Sequence, residues 1–204
     1  MPTKTLAEQT GNSCAAHCAV IAIAELLSDP GMTKSFAEGT LWPAIQFKAN
    51  GDQAIDGLAA QKNSDPRLMV SEIASRWSTV KAALICDETQ KTTAMTYVDQ
   101  SIQPALQGLF NMLKRAGSVA SISIDDGIYY NCSYLMKKGG DATTATYEGM
   151  HNILVTKQGG QTYYYNPNES VPVWKVVVDW KKLENQNGGT YSYVFTGVCV
   201  EMKK

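Results

Sequence analysis

Cys14-Ala15-Ala16-His17-Cys18-Ala19-Val20-Ile21-Ala22-Ile23-Ala24-Glu25-Leu26-Leu27 decides how the rest of the chain is read. It is apolar on nearly every side, so a helix made from it has no face to give to water and belongs inside the protein. Asn12 and Ser13 stand before it as candidate N-caps. Asp29-Pro30-Gly31 follows as a stop signal.

Outward from this segment the first half reads as helices. Residues 52–61 form one candidate, and a second runs from Pro66, suited to a first turn, to about residue 78. Residues 103–116 place Leu106, Leu109, Phe110 and Leu113 on one face, with Gly117 as a C-terminal stop. After Gly117 the pattern alternates. Strands are predicted over 119–124, 129–136, 152–156, 162–166, 171–178 and 191–201, with turns at Asp125-Asp126-Gly127 and Gly159-Gly160. The polar, Gly-rich stretch 137–148 reads as a mobile loop. Helices first and antiparallel strands later predict an α+β fold. One domain over 1–204 is expected, with a helical lobe to about residue 117 and a β lobe from about residue 118.

Composition narrows the function classes. The chain has 204 residues, 44% hydrophobic and 18% charged, with a formal net charge of -1, so it can bury a core and lacks the basic footprint of a nucleic-acid binder. No apolar run reaches the length of a membrane span. His17 and Glu25 interrupt the longest one, which also makes a poor signal peptide. The expected location is therefore cytoplasmic, or exported without a cleavable signal peptide. Five scattered cysteines (Cys14, Cys18, Cys86, Cys132, Cys199) do not make a disulfide framework, and at least one free thiol is expected.

Two blocks carry chemistry. Gln9-Thr10-Gly11-Asn12-Ser13-Cys14 leads into the buried helix, and Gly149-Met150-His151-Asn152-Ile153-Leu154-Val155 precedes Tyr163-Tyr164-Tyr165-Asn166-Pro167 across the Gly-Gly turn. A thiol at a helix start is favoured as thiolate by unpaired N–H groups and the macrodipole. Paired strands would set His151 beside Asn166, whose amide oxygen would accept from the imidazole and fix its tautomer. Gln9 could donate its side-chain amide to an oxyanion, with the Cys14 N–H as second donor. Each residue also has a plain structural reading: Cys14 as a small buried hydrophobe, His151 as a core histidine, Asn166 as a turn residue, Gln9 as an exposed loop residue. Asn152 and Asn168 are weaker substitutes for Asn166. Cys18 reads as packing. Cys14-x2-His17-Cys18 invites a zinc reading, but no second cluster completes it, so no metal and no cofactor are expected. The three tyrosines 163–165 and Trp42, Trp77, Trp174 and Trp180 read as packing or cleft rim.

The order Gln9-x4-Cys14, Gly-x-His151-Asn-Ile-Leu-Val and Tyr-Asn166-Pro resembles the papain-like cysteine peptidase superfamily, over roughly 40 residues in two blocks. It is similar above all to compact bacterial members: leader peptidases of bacteriocin exporters, staphopain-like enzymes and effector proteases of pathogens. The resemblance implies a helical lobe and a β lobe, with a Cys14-His151-Asn166 triad and Gln9 as oxyanion donor. It implies a protein or peptide substrate, and an inhibitor or immunity protein as a further partner. The expected activity is thiol hydrolysis of a peptide bond, in an effector or toxin or a processing enzyme. Two alternatives stay open: a peptidoglycan amidase, deamidase or acyltransferase using the same residues, and a non-catalytic binding module.

Overall fold

The computed structural model describes residues 1–29, 31–98, 103–113, 117–139 and 149–204. Helix α1 spans Cys14–Leu27, and every residue from Cys14 to Ala24 is buried, as its all-round apolar surface demands. Ser13 occupies the N-cap position but makes no side-chain cap. Its hydroxyl donates instead to Thr10 O at 2.8 Å, and the Asn12 amide reaches Gln61 O at 2.7 Å. The helix closes on Ser28 in the left-handed conformation (φ 56°).

A segment not anticipated as helical follows. Helix α2 (Lys34–Phe36) runs into a π-helical turn (Ala37–Leu41) and then α3 (Trp42–Ile45). Pro43 falls where the wider π-helical turn passes without a break into α3. Helices α4 (Gln53–Ala60) and α5 (Pro66–Arg76) begin at Asp52 and Asp65, whose carboxylates accept backbone N–H groups of the first turn. Strand β1 (Lys81–Asp87) and α6 (Glu88–Met95) come next, then α7 (Gln103–Leu113).

The remaining elements are β2 (Ser118–Val119), β3 (Tyr129–Lys138), β4 (Gly149–Gln158), β5 (Gln161–Tyr165), β6 (Trp174–Val176), β7 (Lys182–Asn185), the short α8 (Gln186–Gly189) and β8 (Tyr191–Lys203). They form one sheet in the order β2-β1-β8-β3-β4-β5-β6, with β7 also on β8. Every pairing is antiparallel except β1 with β2. The fold mixes helices with a large, open, mostly antiparallel sheet.

Three expectations need correction. The half read as helical contributes β1, paired with β8 from Lys81↔Lys203 to Cys86↔Val198, so a boundary near residue 117 does not separate helices from sheet. The strand expected over 119–124 is reduced to Ser118–Val119, although Ile122 and Ile124 are buried by their side chains alone. The valine-rich run 171–178 pairs only over Trp174–Val176; Val171 and Val178 are 72% and 99% exposed, so β-propensity there had no packing to act through. The mobile loop expected over 137–148 lies, from residue 140, outside the described residues.

The sheet has two buried faces. Tyr129, Leu154, Tyr165, Val198, Val200 and Met202 pack in the same core as α1, α5 and α7. The next residues along the same strands, among them Tyr130, Cys132, Tyr134, Ile153, Val155 and Tyr164, form a second core with Tyr193 and Phe195. Strand alternation accounts for both. All five cysteines are buried, and none is joined in a disulfide. No helix among the described residues is long and apolar enough to cross a membrane.

Candidate active site

The β4–β5 hairpin positions two of the predicted residues. Gly159 and Gly160 both take positive φ (59° and 79°), the conformation a two-residue hairpin turn of this hand requires. The resulting register puts Leu154 opposite Tyr165. His151 on β4 and Asn166 just past β5 then meet, with His151 Nε2 2.8 Å from Asn166 Oδ1. Both side chains are buried.

The tautomer follows from the neighbours. Asn166 Oδ1 also accepts the backbone N–H of Asn168 at 3.0 Å, so this atom is the oxygen. His151 Nε2 therefore carries the proton, and Nδ1 holds the lone pair that can take one. The imidazole lies against Tyr193, with ring centroids 5.3 Å apart. Burial holds its pKa down at about 4, against the opposing Asn166 hydrogen bond. At neutral pH the ring is a neutral base.

Cys14 heads α1 and reaches the same strand one residue further on. Its Sγ lies 3.9 Å from Asn152 Oδ1. Burial pushes the thiol up to about 11, opposed by the backbone N–H groups of Asn152, Ala15 and Cys14 itself. The helix start thus offers the stabilisation expected of it, and desolvation outweighs it. No hydrogen bond joins Cys14 to His151 among the described residues; the contact of the thiol on β4 is with Asn152.

Gln9 is brought to the other wall, where its backbone N–H donates to Pro167 O at 3.0 Å, next to Asn166. Its Nε2 donates to Gly11 O at 3.0 Å, and its buried Oε1 has no partner. An oxyanion role for Gln9 requires that amide to exchange the Gly11 carbonyl for substrate.

The remaining candidates have structural occupations. Cys18 Sγ lies 3.5 Å from Asn152 O. His17, fully buried, has Nε2 3.0 Å from Glu38 Oε1 on the π-helical turn. Among the described residues no group of three or more His, Cys, Asp or Glu is placed to hold a metal ion. Tyr165 exchanges hydrogen bonds with the backbone of Leu6, and Trp174 donates to Lys4 O. Trp42 donates to Lys62 O.

Beside Cys14 opens a cavity of about 190 Å³. Phe47, Leu58, Leu109 and Phe110 supply apolar wall, while Asn152 and Ser133 stand on its polar side. Asn131 and Ser133, two apart on β3, were overlooked as site residues, as was Glu38. The signal was available: both Asn131 and Ser133 put polar groups on one face of a strand that is otherwise apolar or aromatic there.

No protein-family model matches the chain, and no curated protein sequence matches it.

Proposed function

We propose that this chain is a papain-like thiol hydrolase acting as a cysteine peptidase. The supporting observation is the buried His151–Asn166 hydrogen bond, which holds the ring in the tautomer whose Nδ1 carries the lone pair. In this reading Cys14 Sγ attacks the substrate carbonyl carbon while its proton passes to His151 Nδ1. The Cys14 N–H and the Gln9 amide hold the oxyanion. His151 then gives the proton to the departing amine; water attacks the thioester as His151 takes its proton, the C–S bond breaks to release the carboxylic acid, and His151 returns the proton to Cys14 Sγ. Asn166 holds the ring throughout without becoming charged.

Turnover of a fluorogenic peptide library tests the reading. Cleavage by the wild type, lost in Cys14→Ala and in His151→Ala with the fold retained, is the expected result. Cleavage that survives Cys14→Ala overturns it. A muropeptide substrate cleaved in place of peptides would move the same residues to the amidase alternative.

The pKa values favour a second reading, a binding module. A thiol raised to about 11 and an imidazole lowered to about 4 do not form a thiolate–imidazolium pair. The two readings part on whether Cys14 is ever activated.

A further inference from the structure

The polar groups under Cys14 form a chain whose atoms can be assigned one by one. Asn131, buried on β3, donates Nδ2 to the carbonyl of Ala15 on α1 at 2.8 Å. A carbonyl accepts, so that end of Asn131 is its nitrogen and the other end its oxygen. Asn131 Oδ1 then receives Asn152 Nδ2 at 3.0 Å, and Ser133 Oγ lies 3.4 Å from the same nitrogen. The remaining end of Asn152, the one 3.9 Å from Cys14 Sγ, is therefore the carbonyl oxygen. It is an acceptor that cannot turn over without breaking the bond to Asn131.

An oxygen in that position suits a thiol, whose S–H can donate to it, and opposes a thiolate. The backbone N–H of the same residue acts the other way, since with those of Cys14 and Ala15 it favours the thiolate. Asn152 thus presents opposite polarities from side chain and main chain, and its side chain lines the cavity beside Cys14. An occupant that pushes the amide aside removes the acceptor and leaves the three donors.

We propose that Asn152 is a positioning residue that keeps the Cys14 thiol off His151 in the empty site and releases it when a substrate side chain fills the adjoining cavity. The inference rests on the thiol hydrolase reading and adds regulation of its nucleophile. Other ionisable groups near the start of α1 are few. Its own helix carries Cys18 and His17, the π-helical turn carries Glu38 bonded to His17, and β3 and β8 carry Cys132 and Cys199 in their facing pair. Helix α3 carries none.

The test is the rate of Cys14 alkylation by iodoacetamide against pH, read by peptide mass spectrometry; the thiolate displaces iodide, so the midpoint reports the thiol pKa. Wild type should label slowly, with a midpoint above the ordinary value of about 8.5. Asn152→Ala should lower the midpoint by at least about one unit, roughly a tenfold gain in rate at neutral pH. The gain should shrink in Asn152→Ala with His151→Ala to the part that the backbone donors supply alone, whereas simple opening of the site would leave it undiminished. Asn152→Asp gives up the donor to Asn131 but puts a carboxylate near the sulfur, whose charge opposes a thiolate, so it should label no faster than wild type. Rapid His151-dependent labelling of the wild type overturns the proposal, as does an unmoved midpoint in Asn152→Ala, a gain undiminished in the double variant, or fast labelling of Asn152→Asp. Peptide turnover on the same proteins separates the two readings. Cys14-dependent turnover with no Asn152 effect removes only the restraint. An Asn152 effect with no turnover removes only the peptidase.

Discussion

The two walls of the site are built on different principles. His151 and Asn166 sit on a hairpin closed by two glycines, and the bond between them spans 15 residues. Gln9 and Cys14 sit on a loop and a helix start, and each donates to a group outside the triad, Gly11 O or Asn152 Oδ1. Short-range geometry therefore completes the base and its support in advance. Cys14 and Gln9 are delivered by contacts as long as 138 residues, and they arrive engaged elsewhere. In the proposed enzyme, orientation of the base is therefore preformed, whereas activation of the thiol is left to the substrate.

The largest effect should come from breaking the finished wall. In the proposed enzyme, Asn166→Ala frees the imidazole to rotate and to change tautomer, and peptide turnover should fall by about 10²- to 10⁴-fold, the scale of general acid–base catalysis. ¹⁵N chemical shifts of His151 provide a readout that needs no substrate: one tautomer protonated at Nε2 in the wild type, a mixture in the variant. A wild-type ring protonated at Nδ1 would remove the preformed base from the comparison.

Acid should act on the same wall. His151 has a folded pKa near 4, below the unfolded value of about 6.5, so the unfolded chain binds more protons between those limits. Its contribution is present above pH 6.5 and is lost as pH falls toward 4, on the order of 3 kcal/mol in all. His17, also lowered by burial despite Glu38, acts in the same direction. Urea unfolding at steps from pH 7.5 to 4.5 should show this loss, with a shallower slope in His151→Gln. Equal slopes in the two proteins would show that the ring is not buried neutral.

How far the sequence could be read follows the same division. Helix α1 has the bounds that its apolar surface indicated, and α4 and α5 start at aspartates that cap them. The hairpin and the His151–Asn166 pairing depend on a glycine pair and a short separation, both visible in the chain. Strand β1 was missed because Ala82-Ala83-Leu84-Ile85-Cys86 suits a helix or a strand equally, and its partner lies at the far end of the chain in β8. Helix α6 (Glu88-Thr89-Gln90-Lys91-Thr92-Thr93-Ala94-Met95) has no apolar stripe to mark it and is started by Asp87, which itself ends a strand. Asn152 could be seen as polar beside His151, but which of its atoms faces the thiol depends on Asn131 and on the Ala15 carbonyl, 116 residues away from it.

A smaller effect should appear on the loop that carries Gln9. Glu38 Oε1 accepts Thr10 N–H at 2.7 Å as well as facing His17, and Lys34 Nζ lies 3.6 Å away. Burial raises the Glu38 pKa, and these partners together more than offset it. Glu38→Gln keeps an acceptor but loses the charge, so a cost of about 1–2 kcal/mol is expected, with faster hydrogen exchange at Thr10 N–H. Exchange faster at Asn168 than at Thr10 would invert the ranking of the two walls.

The smallest effect belongs to Ser13→Ala. A serine at an N-cap ordinarily contributes about 1 kcal/mol by accepting a first-turn N–H. Ser13 makes no such bond; its hydroxyl ties the Thr10 carbonyl to the start of α1. Thr10 keeps its N–H on Glu38 in the variant, so the loss should stay below about 1 kcal/mol. The substitution removes no donor to the Cys14 sulfur, because those are backbone groups of Cys14, Ala15 and Asn152. The alkylation midpoint of Cys14 should therefore be unmoved. A cost above 2 kcal/mol, or a shifted midpoint, would mean that the helix start is held by Ser13 after all, and that the nucleophile's wall is as firmly preset as the hairpin facing it.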